Sequence, residues 1–286
     1  MATFNFERST DEQICKEVID KITKETEKKM AQLVKEAKKR QVVELKLTDE
    51  QVKGSGAIRH RDFDKVAFVI RKRLPAFLYG GAGNGKSKIA EQIAEMLKIP
   101  YYSISVSYQT SVGQLVGYMD AQGHYVRTLL REAYENGGVF CIDEIDAGNQ
   151  NVIMCLNAIT NQDICAFPDG MVKKHKNFVV VATANTKGDG SDLQYSGRER
   201  IDAALLSRFV KIHIDYDENL ERQLVAQWAK PEFVDEIMAF AQQQRSKTRR
   251  DDNILWTPRQ SVFVAKLSND LGLTKAFEIV SEQKEV

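Results

Sequence analysis

From residue 8 to about 40 the chain is densely charged with both signs, yet Ile14, Val18, Ile22, Met30, Leu33 and Ala37 recur three or four positions apart, with wider gaps between some. That spacing predicts an amphipathic helix or helical hairpin whose apolar stripe packs on the main body or on a partner. Thr48-Asp-Glu-Gln51 has capping-box spacing for a short helix, and Gly54-Ser-Gly56 reads as a joint. From Val66 the rhythm changes. LPAFLYG (74–80), YYSISVS (101–107), GVFCID (138–143), NFVVVATAN (177–185) and FVKIHID (209–215) are short runs, most of them largely apolar. Helical segments separate them, the first with Ile89, Ile93, Ala94 and Leu97 facing inward. Strands of this kind predict a parallel sheet covered on both faces, which binds ligands at the carboxyl ends of its strands. Beyond Asp215 the strand signal ends. Residues 220–228, 232–243 and 260–271 show helical spacing, broken at Pro231 and Pro258, and predict a small all-helical domain with a charged loop at 246–253.

The 286 residues, 43% of them hydrophobic, suffice for one large domain or two smaller ones. With 41 Lys+Arg against 40 Asp+Glu the formal charge is +1, which argues against a protein that coats polyanions generally and leaves a local basic patch open. No uninterrupted apolar stretch of about 18 residues occurs, so no membrane-spanning helix is expected. The first residues, MATFNFERSTDEQICKEV, acquire charges before an apolar run can form. A secretory signal is therefore not expected, and the location implied is cytoplasmic. Cys15, Cys141, Cys155 and Cys165 form no C-x-x-C pair, and His60, His124, His175 and His213 show no ligand spacing. Neither a disulfide framework nor a zinc site is expected.

Gly80-Gly81-Ala82-Gly83-Asn84-Gly85-Lys86-Ser87 fits G-x-x-x-x-G-K-[ST] between a strand and a helix. Its glycines let backbone N–H groups converge on phosphate oxygens, and the following helix turns its positive dipole end toward them. Lys86 would reach the β- and γ-phosphates, and the Ser87 hydroxyl would ligate magnesium. The run Val139-Phe-Cys-Ile-Asp143-Glu144 is an apolar strand ending in two carboxylates. Asp143 suits magnesium, held directly or through water, and Glu144 can polarise a water for attack on the γ-phosphate. Asn185, at the end of another buried strand, either orients that water or caps the next turn. Arg208 ends the segment Asp202-Ala-Ala-Leu-Leu-Ser-Arg-Phe209, where an arginine can offset charge developing on a γ-phosphate or simply compensate a helix dipole.

Together these residues resemble an AAA+ ATPase from about residue 60 to the C-terminus: Walker A at 80–87, Walker B at 139–144, sensor-1 Asn185, an arginine finger at Arg208 and sensor-2 Arg259 in Trp256-Thr-Pro-Arg259. Within that superfamily the chain is similar to the branch of MoxR-type ATPases, the small ATPase subunit of aerobic cobaltochelatase and the McrB-like and dynein-related modules. Ala184-Asn-Thr-Lys-Gly-Asp-Gly, Tyr195-Ser-Gly, DAALLSRF and the stretch from Gly117 through Gly138 into FCIDEID carry that likeness. The resemblance implies a three-layer α/β P-loop core (57–216) and a helical lid (217–286), using ATP and Mg2+, and leaves the charged helical N-terminal region (1–56) unmatched. It makes Arg208 a finger acting in trans, with Arg198 and Arg200 as rivals. Two hairpins, at 113–127 and 164–176, would point into the pore of a ring. Asn84 stands where threonine or serine is common, a position expected to contribute mainly its backbone.

The leading expectation is a Mg-dependent, ring-forming ATPase, a homo-oligomer of hexameric type, that remodels a protein client, with a von Willebrand A-type domain protein as one candidate. The alternatives are a nucleic-acid translocase using Lys173, Lys174 and Arg127, and the motor subunit of a metal chelatase. Adenine over guanine is implied by the family alone.

Overall fold

A computed structural model describes residues 58–191, 194–248 and 256–281. The expected N-terminal helical region at 1–56, its joint at 54–56 and most of the charged loop at 246–253 lie outside the described residues.

Described in chain order, α1 (Phe63–Arg71) precedes β1 (Ala76–Tyr79), α2 (Lys86–Met96), β2 (Tyr101–Ser105) and α3 (Val112–Val116). A short hairpin, β3 (Tyr118–Met119) and β4 (Tyr125–Val126), leads to α4 (Leu129–Asn136) and β5 (Gly138–Asp143). After a 3-10 turn at Ile145–Ala147 come α5 (Gln150–Ile153), α6 (Leu156–Asn161) and a second hairpin, β6 (Ile164–Phe167) and β7 (Gly170–Lys173). The α/β part closes with β8 (Phe178–Ala184), α7 (Ala203–Leu206) and β9 (Val210–His213).

The five long-range strands form one parallel sheet in the order β2-β5-β8-β1-β9. Its middle strands are apolar on both faces because both faces are covered. Phe77, Phe140, Ile142, Val180 and Ala182 join Leu130, Ala133 and Tyr134 of α4 in one core layer. Ala76, Leu78, Val139, Cys141, Val179 and Val181 alternate to the opposite face, against α1 and α2, and are equally buried. The three layers are therefore helix, sheet and helix. β2, at one edge, is half open and its burial alternates, unlike that of the central strands.

The C-terminal part is helical: α8 (Glu218–Ala226), α9 (Pro231–Thr248), α10 (Pro258–Leu271) and α11 (Leu273–Ser281). Pro231 and Pro258, where the helical spacing breaks, are each the first residue of a helix, a position whose N–H needs no intrahelical partner. Thr257 and Gln260 close a capping box ahead of α10. Val225, Ile237, Ala241, Val264, Ala265 and Trp256 form this part's own core, with the Phe240 ring 5.0 Å from Trp256 and 4.2 Å from Phe277. A buried ion pair, Glu221 to Arg245 at 2.8 Å, is tied to Ser261 and Trp256. α11 was not legible as a separate helix, and α9 runs five residues past the spacing that announces it, because its last turns have no apolar period.

Candidate nucleotide site

The carboxyl ends of β1, β5 and β8 lie side by side, since Tyr79 pairs with Ala184 and Ile142 with Ala182. The residues that follow each strand therefore meet on one edge of the sheet. Gly80–Ser87 loops from β1 into α2, and Gly85 caps that helix at φ 85°. At Gly80, φ is 146° and a Cβ would lie 2.0 Å from the Ile214 carbonyl oxygen. The loop can take this path only with glycine there. Asn84 uses more than its backbone: its Nδ2 donates to the Ile214 carbonyl and its Oδ1 accepts from Lys86 at 3.1 Å.

Lys86 is buried in the mouth of this loop. Its Nζ donates to the carbonyls of Gly80 (2.8 Å) and Gly81 (2.9 Å) and to Asn185 Oδ1 (3.2 Å). Desolvation lowers its pKa to about 8, against the opposing pull of Asp143, Asp146 and Glu144 and with a smaller push from Arg198. Ser87 Oγ donates to Asp143 Oδ1 at 2.8 Å, and Thr183 Oγ1 donates to the same oxygen. A hydroxyl and a carboxylate held against each other at a phosphate loop are a hard-oxygen donor set of the kind magnesium takes, with phosphates and water filling its shell.

Glu144 sits immediately beyond β5 in the left-handed region at φ 56°, ψ 42°, a conformation that costs a non-glycine residue about 1–3 kcal/mol and turns the chain sharply after Asp143. Its N–H donates to Thr183 Oγ1 at 3.3 Å, and its side chain is half exposed. Asn185 presents its amide oxygen to Lys86 while its own N–H donates to Asp146 Oδ2. An open cavity of about 450 Å³ above the loop is lined by Lys86, Ser87, Asp143, Glu144, Asn185 and, from α10, Arg259. Arg208 does not line it: its Nε donates to Asn157 of α6 at 2.8 Å, on another part of the surface.

Asp146, which no sequence motif singles out, is fully buried and accepts from the N–H groups of Asn185 and Thr186 and from Thr186 Oγ1. The signal was an acid inside the apolar turn Ile145-Asp-Ala147, where a carboxylate persists only with several donors. Arg198, considered only as a rival finger, lies 3.4 Å from Glu144 and 3.2 Å from Asp146 of its own chain. Two tyrosines grip the phosphate loop: the Ala82 N–H donates to Tyr195 Oη, and Tyr216 Oη donates to the Ala82 carbonyl.

Residues 75–209 match the AAA domain of the dynein-related subfamily. The chain is 28% identical over 157 residues to midasin of Giardia intestinalis, covering 53% of this chain and 3% of that protein. It is 24% identical over 201 residues to an uncharacterised Staphylococcus epidermidis protein (65% and 73% covered) and 28% identical over 163 residues to one from Staphylococcus aureus (53% and 59% covered). Among solved structures, a RuvB mutant from Thermotoga maritima superposes with a TM-score of 0.51 at 17% identity, covering 76% of this chain and 66% of that one. That likeness is one of fold.

Proposed function

The chain carries an AAA+ ATPase domain, and from that premise we propose that it hydrolyses ATP with magnesium at a site completed by a neighbouring copy, and uses the cycle to remodel a protein client. The observation that carries the hydrolytic reading is the meeting of Lys86, the Ser87–Asp143 pair, Glu144 and Asn185 around one cavity at the ends of three adjacent strands. Lys86 exchanges its carbonyl contacts for β- and γ-phosphate oxygens, while loop and helix N–H groups hold the β-phosphate. Ser87 and Asp143 are the residues that would hold Mg2+, which when bound offsets charge on the phosphate oxygens. Glu144 takes the proton of the attacking water, and Asn185 directs that water. Arg259 answers to the γ-phosphate from the lid side. Arg208, held away from its own phosphate loop, reaches the nucleotide of the next subunit in a ring of hexameric type.

Two features favour a protein client over nucleic acid. Both hairpins expose apolar side chains, Tyr118 and Met119 on one and Ile164 and Met171 on the other, which suit a polypeptide. Arg127, a candidate phosphate contact, is paired to Glu132 and Glu135, and Lys174 is paired to Asp163. No described helix is long and apolar enough to cross a membrane.

The test is Glu144→Gln. It should bind ATP with nearly unchanged affinity while turnover drops roughly 100-fold or more, the scale of losing a general base. Near-normal turnover would remove Glu144 from the mechanism. Stimulation of ATPase by DNA or RNA, lost at high salt, would replace the protein client by a nucleic acid.

A further inference from the structure

We propose that Arg198 is a positioning residue acting in its own subunit, which aims Glu144 by tethering it to the buried Asp146. The proposal rests on the reading of Glu144 as the group that activates water.

Glu144 leaves β5 with its side chain half exposed, and fixing a glutamate side chain costs rotamer entropy. A general base that wanders is in the right place only part of the time. Arg198 supplies the restraint: its Nη1 lies 3.4 Å from Glu144 Oε2 and 3.2 Å from Asp146 Oδ1. One nitrogen thus joins a half-exposed carboxylate to a buried one.

Asp146 is immobile because its other oxygen, Oδ2, accepts three hydrogen bonds, from the N–H groups of Asn185 (3.1 Å) and Thr186 (3.0 Å) and from Thr186 Oγ1 (2.9 Å). Its carbonyl oxygen also accepts from the Glu199 N–H at 2.7 Å, beside Arg198. The arginine is equally fixed. Its N–H donates to Ser191 Oγ, the Ser191 hydroxyl donates back to the Arg198 carbonyl, both at 2.8 Å, and its side chain is only 13% exposed. Asp189 and Arg200 form a bridge that closes the loop on itself.

One buried carboxylate therefore sets the backbone of Asn185 through Oδ2 and the direction of Glu144 through Oδ1 and Arg198. The two residues that handle the attacking water share a single anchor. The segment that carries Arg198 also runs on into α7 and Arg208, so a displacement of that segment by a neighbouring subunit would reach Glu144 through Arg198.

The experiment is a double-mutant cycle on Glu144 and Arg198, read by single-turnover ATP hydrolysis and by affinity for a non-hydrolysable ATP analogue. Arg198→Ala should lower kcat roughly 10–100-fold, the scale of misplacing a catalytic group by about 1 Å, with analogue affinity changed by less than about threefold. In the Glu144→Gln background the same substitution should cost nothing further, because its effect passes through Glu144. Arg198→Lys keeps the charge on Asp146 while losing the planar fork, so it protects the fold if alanine does not and should fall between wild type and alanine. A kcat for Arg198→Lys and Arg198→Ala within about threefold of wild type, an equal loss in both backgrounds, or a loss of analogue affinity matching the loss of rate would each overturn the proposal. If Glu144→Gln itself turns over normally, the reading of Glu144 fails. If it is inactive while Arg198→Ala is not impaired, the role of Arg198 alone fails.

Discussion

At the scale of single residues the site is governed by how charge is buried. Lys86 has lost most of its water, and its carbonyl and amide contacts only partly replace it, so its pKa falls to about 8. Between that value and the ordinary lysine range the folded chain holds fewer protons than the unfolded one. Raising the pH through this window therefore stabilises the nucleotide-free fold as far as Lys86 is concerned. Nucleotide affinity moves the opposite way, because phosphates favour the ammonium form and raise its pKa on binding. Affinity for an ATP analogue should be flat below about pH 8 and decline by up to about tenfold per pH unit above it. Titration calorimetry at pH 7, 8 and 9 checks this, with Lys86→Met, weak and pH-independent over the same range, as the control. An affinity for the unmodified chain that stays constant to pH 9 would contradict the assignment. Asp146 carries the complementary lesson: a fully buried carboxylate is tolerated because three hydrogen-bond donors and a guanidinium surround it.

At the scale of elements, the strand-loop-helix around Gly80 serves stability and binding together, whereas the sheet interior serves stability alone. Gly80→Ala would force an L side chain to φ 146° and a Cβ against the Ile214 carbonyl. It should cost on the order of 1–3 kcal/mol of stability and lower nucleotide affinity at the same time. Phe140→Ala, deep in β5, should cost about 3–5 kcal/mol and leave the affinity of the folded fraction unchanged. Urea unfolding with and without ATP analogue separates the two, and equal effects of ligand on both variants would refute the distinction. The strands were legible because central parallel strands are apolar throughout: 138–143 is β5 from first residue to last. The run at 74–80 shortens to 76–79, since Leu74 lies outside the sheet and exposed and Gly80 has already turned into the phosphate loop. α1 and α4 carry helical spacing in their buried residues, Phe63, Val66, Ala67 and Ile70 in one and Leu130, Ala133 and Tyr134 in the other, but at 9 and 8 residues they are too short for that pattern to mark their ends.

For the whole molecule, the helical C-terminal part reaches the phosphate loop through the side chain of Tyr216. Arg245, paired to Glu221 inside the helical part, lies 4.5 Å from the centre of the Tyr216 ring, and Tyr216 holds the Ala82 carbonyl. Arg208 does not line the nucleotide cavity of its own chain, and the trans role proposed for it yields a prediction at this scale. Glu144→Gln and Arg208→Ala chains, each inactive alone, should regain a substantial fraction of ATPase when mixed, because some interfaces then combine an intact Glu144 with an intact Arg208. Arg198→Ala mixed with Glu144→Gln should stay at its low level, since both defects lie in the same subunit's site. Absence of recovery in the first mixture would exclude a trans role for Arg208, and recovery in the second would place Arg198 in trans.

The amino-acid order by itself determined the strands, the phosphate loop and the pair Asp143-Glu144, because these depend on local apolar runs and on residue types at fixed short spacing. Which residues stand beside them was decided only by the tertiary structure. Asp146 and Arg198 are 52 positions apart, and Ala82 is 113 residues from Tyr195 and 134 from Tyr216. No periodicity encodes such pairs. They arise because parallel pairing sets β5, β8 and β1 side by side, so that loops distant in sequence share one edge, where burying a charge obliges each to supply the other's partner.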